Sequence, residues 1–120
     1  MKKILMFVLA IMLLASCQEE ASYITISLDE VESKVEEGFI ILDVREVFEY
    51  DEGHIPNSVN KPLSELQEGD FSNISKNEKY IVICRSGNRS ITASDILTES
   101  GFTVVNTSEG VSTWPGELVR

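Results

Sequence analysis

Residues 80–90 read Tyr-Ile-Val-Ile-Cys-Arg-Ser-Gly-Asn-Arg-Ser. The apolar run before Cys84 suits a buried strand, and the polar residues after it suit a tight turn that opens a helix near Ser90. A cysteine at a helix N-terminus feels the positive end of the helix dipole. Arg85 and Arg89 add guanidinium charge. Both lower the thiol pKa from its free value of about 8.5. Backbone N–H groups of such a turn can converge into an anion-binding nest. The stretch therefore describes a thiolate beside a cradle for negative charge.

The rest of the chain reads as support. Tyr23 to Ile26 is an expected first strand. Ser27 and Glu30 have the spacing of a capping box, and Leu28, Val31 and Val35 share the helical face that follows, closed by Gly38. Phe39 to Val44 is apolar except at Asp43, as in a strand buried on both faces of a parallel sheet. Arg45 to Gly53 reads as a short helix or turn anchored by Val47, Phe48 and Tyr50. His54 to Asn57 is a loop and Ser58 to Lys61 a short strand. Leu63 to Leu66 supplies one or two helical turns. Ile91, Ala93, Ile96 and Leu97 give a partly apolar helix after the cysteine turn, and Gly101 closes it. Phe102 to Val105 is the last strand, and Val111 to Trp114 a final helical turn. Strands alternating with helices imply an α/β domain with a mostly parallel sheet. Sites in such sheets lie beyond the C-terminal ends of strands. Asp43-Val44-Arg45 and Cys84 both follow apolar runs at that kind of position.

The chain has 120 residues, enough for one domain, with 42% hydrophobic and 25% charged residues. Its N-terminus differs from the rest. Lys2-Lys3 precede an apolar run from Ile4 to Ala15, too short for a spanning helix of about 20 residues. A basic start, an apolar run and small residues at a cleavage point describe a secretory signal peptide. Leu14-Ala15-Ser16-Cys17 resembles a bacterial lipobox. That likeness implies a lipoprotein signal peptide over residues 1–16, an acylated Cys17, a tether over 17–22 and the folded domain over 23–120. The protein would then sit in the bacterial cell envelope, held to a membrane by lipid. Cys84 would be the only free thiol, with no intramolecular disulfide available. Losing Lys2 and Lys3 takes the formal charge from −10 to −12. An acidic chain without a basic stripe speaks against nucleic-acid binding, and an anionic substrate meets repulsion at long range. One histidine and one thiol make no metal site, and no cofactor is implied.

Taken together, the motifs resemble the rhodanese-like single-domain sulfurtransferases. The likeness runs from about Ile24 to Leu118 in four ordered blocks. Leu42-Asp43-Val44-Arg45 with Glu49-Tyr50 and Gly53-His54-Ile55-Pro56-Asn57-Ser58 forms the first. Asn60-Lys61-Pro62-Leu63 continues it. Ile81 to Ser90 is the active-site loop, and Gly110-Val111-Ser112-Thr113-Trp114 the closing segment. The resemblance implies a five-stranded, mainly parallel sheet flanked by helices. It also implies that Cys84 takes a sulfane sulfur from a small donor, thiosulfate or a persulfide. A thiol or cyanide then accepts the sulfur from the Cys84 persulfide, by double displacement.

Within that reading, backbone N–H groups from Arg85 through Ser86, Gly87, Asn88 and Arg89 to Ser90 would bind the substrate's charge. Gly87 permits a backbone shape closed to other residues. Arg89 is either a bidentate clamp on substrate or an ion-pair partner that holds the loop. Asp43, Arg45, Glu49 and His54 are expected to support the site, Arg45 and Glu49 as an i,i+4 pair and His54 by a structural hydrogen bond. Trp114 is expected as a core lid. Two rivals remain. One is a partner-binding or persulfide-carrying module without turnover. The other is a phosphatase or arsenate reductase of the same fold; those enzymes need one residue more than the four that separate Cys84 from Arg89. The domain is expected to be a monomer.

Overall fold

The structure is a computed structural model and describes residues 22–120. The apolar leader, Cys17 and the tether up to residue 21 lie outside the described residues. Among those described, no helix is long and apolar enough to cross a membrane.

Five strands form one sheet: β1 (Thr25–Ile26), β2 (Phe39–Asp43), β3 (Val59–Asn60), β4 (Lys79–Ile83) and β5 (Thr103–Thr107). Their order is β1-β5-β4-β2-β3, and every neighbouring pair is parallel. The helices are α1 (Val31–Glu36), entered through a 3-10 turn at Leu28–Glu30, then α2 (Val47–Glu52), α3 (Leu63–Gln67) and α4 (Arg89–Glu99). A second 3-10 turn spans Val111–Thr113. In the first capping box the Glu30 carboxylate accepts the Ser27 N–H.

Side-chain alternation along the central strands builds two cores. Tyr80, Val82 and Cys84 point to one face, with Leu42, Val44, Val104, Leu66, Ala93 and Leu97. Ile81 and Ile83 point to the other, with Ile41, Ile26, Val31, Ile55 and Val111. The unbroken apolar runs in β2 and β4 follow from this burial on both faces. Register pairs Asp43 with Ile83, so β2 and β4 end side by side. The segments that leave those ends must share one edge of the sheet.

Several apolar residues lie outside the core. Val47 and Phe48 do not hold α2 to the core; they are 52% and 67% exposed. Helix α2 is fixed by polar contacts instead. The Tyr50 hydroxyl donates to Ser58 O at 2.7 Å, and the Glu49 carboxylate accepts the Glu46 N–H at 2.9 Å. In α4, Ile91 faces outward, and the buried stripe is Ser90, Ala93, Ser94 and Leu97. That spacing is as helical as the expected one. It prevails because Ala93 and Leu97 pack into the first core while the Ser90 and Ser94 hydroxyls face Thr107 and Asn106 of β5. Val35 of α1 is likewise exposed rather than part of the buried face.

Lys61 is fully buried at the end of β3. Its stem fills space under α3, and its ammonium reaches Glu65 at 2.9 Å, Asp70 at 3.1 Å and Ser72 at 3.2 Å. Burial alone pushes this ammonium's pKa down, but hydrogen bonds to Glu65 and Asp70 outweigh that and raise it. The partners are half in solvent, so the buried stem carries most of the stabilisation. Lys61→Ala leaves a cavity and should cost about 2–4 kcal/mol in urea unfolding. Lys61→Met keeps the stem and should cost about 1 kcal/mol or less. Equal losses in the two variants would show that the ion pairs dominate.

Candidate functional site

Cys84 leaves β4 at the sheet's C-terminal edge and is 1% exposed. The turn that follows folds over its sulfur. Gly87 N–H donates to Sγ at 3.1 Å. Burial is the largest influence on the thiol and pushes its pKa up. Hydrogen bonds from the Ser90 hydroxyl and from the N–H groups of Ser90, Gly87 and Ser86 together outweigh burial, and the pKa is lowered. Ser90 lies in the first turn of α4, where N–H groups have no intrahelical partner. The thiolate fills that vacancy.

The loop keeps this shape because its carbonyls are tied down on the outer side. Cys84 O accepts Val111 N–H at 2.9 Å, and Arg85 O accepts Ser112 N–H at 3.1 Å and the Ser112 hydroxyl at 2.8 Å. In those two peptide units the C=O groups turned outward leave the Arg85 and Ser86 N–H groups on the opposite side. Close approach makes this possible. A Cβ at Gly110 would overlap the carbonyl oxygens of Arg85 and Cys84. Gly87 adopts φ +101°, and a Cβ there would lie 2.6 Å from Ser108 O. Thr107, fully buried at the end of β5, donates its hydroxyl to Val82 O or Glu109 O, each at 3.0 Å. It locks β4 to the segment that anchors the loop.

The supporting acids and bases pair differently from the expected Arg45–Glu49 contact. Arg45 is buried and binds Asp43: its Nε lies 3.0 Å from both carboxylate oxygens and its Nη2 2.7 Å from Oδ2. Arg45 also reaches Gly53 O at 2.8 Å. The Asn60 amide donates to the carbonyls of Asp43 and Arg45, both at 2.9 Å. Glu49 instead grips Arg89 with two bonds, at 2.6 and 2.8 Å. The Arg89 hydrogen bond is the main reason the Glu49 carboxyl falls from 4.5 to about 2. Of the two alternatives for Arg89, the geometry is that of an ion-pair partner holding the loop. His54 stacks on Tyr50 with ring centroids 3.8 Å apart and donates from Nδ1 to Tyr50 O at 2.9 Å. Its backbone pairs with Val119, which brings the C-terminal segment to the site. Trp114 packs, partly buried, on the second core. No cluster of metal-ligating side chains occurs among the described residues.

A cavity of about 300 Å³ opens beside the loop, lined by Arg45, Glu49, Glu52, Gly53, Arg85, Val111, Ser112 and Leu118. Arg85, on its lining, is exposed, as are Ser86 and Asn88 of the loop. The sequence reading placed Gly110 and Ser112 in a motif without seeing that they hold the loop's carbonyls. Their spacing from Trp114 was the available signal.

A family model described as the rhodanese-like domain matches residues 27–117. The chain is 36% identical over 105 residues to "Putative sulfur carrier protein YrkF" of Bacillus subtilis, covering 85% of this chain and 56% of that protein. It is 37% identical over 94 residues to "Putative sulfurtransferase YtwF" of the same organism, covering 77% of this chain and 90% of the relative. Among solved structures, a rhodanese-related protein from Thermoplasma volcanium superposes with a TM-score of 0.72 at 35% identity, covering 81% of this chain and 98% of that one.

The lowered thiol pKa gives a direct test. The thiolate persists below the pH at which a free cysteine protonates. Ser90→Ala removes the hydroxyl that helps outweigh burial, so the thiolate titration should move to higher pH. Ultraviolet thiolate absorbance against pH reads the shift. An unchanged curve would remove Ser90 from the account.

Proposed function

The chain belongs to the rhodanese-like family, and on that footing we propose that it is a sulfurtransferase working through a Cys84 persulfide. The Cys84 thiolate attacks the outer sulfur of a sulfane-sulfur donor. With thiosulfate, the S–S bond of the donor breaks, sulfite leaves with the bonding electrons, and Cys84 holds S–S⁻. An acceptor thiolate or cyanide then attacks that terminal sulfur and regenerates the Cys84 thiolate. The observation that carries the reading is the Gly87 N–H aimed at the Cys84 sulfur at 3.1 Å, in a loop that lowers the pKa of a buried thiol. Such a nest stabilises a thiolate before the transfer. It would then stabilise the terminal persulfide charge after it.

The ring from Cys84 to Arg89 is small, and Arg89 is already bound to Glu49. Both features favour a sulfane sulfur over a tetrahedral phosphate or arsenate. A persulfide carrier is the second reading. It is supported by the name of the relative YrkF and by a thiol that stays buried between the loop and the sheet. Protein offered thiosulfate or an organic persulfide, with cyanide as acceptor, should make thiocyanate. Intact mass should show a species one sulfur atom heavier. Cys84→Ser should abolish both signals. Loading without turnover to cyanide or thiols would favour the carrier, and no loading from either donor would overturn both readings.

The lipobox reading makes Cys17 an acylation site that holds the domain close to a membrane in the cell envelope, through a tether of a few residues. Expression in a bacterium fed a clickable fatty acid should label the wild-type protein. Cys17→Ala should lose the label. Label retained in Cys17→Ala would defeat the proposal.

A further inference from the structure

The charge balance around Cys84 bears on which donor the pocket takes. Three arginines stand near the loop, and two are already neutralised. Arg45 is locked on Asp43 and Arg89 on Glu49. Arg85 has no ion-pair partner among the described residues, and it is exposed. Against it, Glu49 and Glu52 line the same cavity. Glu49 is no adaptable surface acid. Its carboxylate also accepts the Glu46 N–H, its side chain is 11% exposed, and the Arg89 hydrogen bond keeps it ionised far into acid. Arg89 feels the charge of Cys84, so it sits within electrostatic reach of the reacting sulfur while its charge is spent on Glu49. A dianion entering this cavity therefore meets Glu52, a Glu49 carboxylate that cancels the Arg89 charge, and one uncommitted cation, Arg85, in a chain of formal charge −10.

We propose that Glu49 makes the pocket selective for low-charge persulfide donors, R–S–SH or R–S–S⁻, over dianionic oxyanion donors such as thiosulfate. The proposal rests on the sulfurtransferase reading. In the favoured step the Cys84 thiolate attacks the terminal sulfur of R–S–SH. The S–S bond of the donor breaks, R–S⁻ leaves with the electron pair, and Cys84–S–SH forms; the proton stays on the transferred sulfur. One sulfane sulfur moves, and no external oxidant or reductant is needed. The nest's N–H groups serve both reactions: thiosulfate leaves Cys84 with charge on its terminal sulfur at once, and Cys84–S–SH reaches the same state when it gives up its proton. What differs is the charge brought in. Thiosulfate carries two negative charges into a cavity with one free guanidinium, and a persulfide carries one or none.

The test compares loading of Cys84 from thiosulfate and from the persulfide of an uncharged cysteine derivative. Loading is followed by intact mass and by thiocyanate release. Wild-type protein should load from the persulfide about a hundredfold faster, and added salt should narrow the gap by screening. Glu49→Gln frees the Arg89 charge, and the thiosulfate-to-persulfide ratio of kcat/KM should rise about tenfold. Glu52→Gln removes a mouth carboxylate that has no bond to the loop, and the ratio should rise a few-fold. If Glu49→Gln loosens the loop and slows both donors, their ratio and the Glu52→Gln result still decide the matter. A wild-type ratio near one, or a ratio unmoved in both variants, overturns the proposal while leaving the sulfurtransferase reading in place. Loading from neither donor overturns that reading and this proposal with it.

Discussion

The site depends on hydrogen bonds that look outward from it. The carbonyls of Cys84 and Arg85 are held by Val111 and Ser112 on the far side of the loop. A peptide unit carries its donor and acceptor on opposite sides, so fixing these two C=O groups outside orients the Arg85 and Ser86 N–H groups and holds the turn that brings Gly87 N–H to the sulfur. The sulfur then meets donors that need no reorganisation when charge develops. The arrangement requires two backbones at near contact. Gly110 provides that on one side and Gly87, with its positive φ, on the other. Thr107 ties β4 to the segment after β5, so the anchor cannot drift from the loop it holds.

A second layer of fixed charge frames the loop. Asp43 and Arg45 form a buried pair at the end of β2, completed by the carbonyl of Gly53 and the amide of Asn60. A buried pair gains little net stability over an apolar replacement, yet losing one partner is costly. Its effect here is positional: it pins the departure of the chain from β2 into α2. Helix α2 in turn carries Glu49 to Arg89. The position of the loop arginine therefore depends on β2 through Asp43, Arg45, Gly53 and Glu49, a sequence of contacts made almost entirely by polar groups. This explains how α2 can leave Val47 and Phe48 in solvent and still be well placed.

Burial and activation oppose each other at Cys84. Removing a thiolate from water raises its pKa, and for this residue that influence is the largest one. Several modest hydrogen bonds overcome it because they converge on one atom. The same seclusion that hinders ionisation limits the access of bulky oxidants to the free thiol of Cys84. The lowered pKa and the inaccessible sulfur are thus consequences of one loop geometry.

Much of this was legible in the residues themselves. Apolar runs of strand length alternating with helical patterns marked a parallel α/β sheet, because periodicity and length are local properties. The place of Cys84 after an apolar run and its four-residue separation from Arg89 are covalent facts, so the thiol and the size of its loop could be read directly. Other features depended on which chain segments become neighbours. Arg89 finds Glu49 forty positions away because β2 and β4 lie side by side in register. Four residues back along the chain Glu49 had Arg45 as a plausible partner, and the burial of Arg45 against Asp43 removed it. The inward face of α4 was likewise ambiguous, since Ser90 and Ile91 both fit a helical stripe. The packing of Ala93 and Leu97 into the first core, with the Ser90 and Ser94 hydroxyls facing β5, selected Ser90. Sequence fixes spacing along the chain and so determined the thiol and its loop; the tertiary fold decides distances across it, and so chose the partners that set the charge around that thiol.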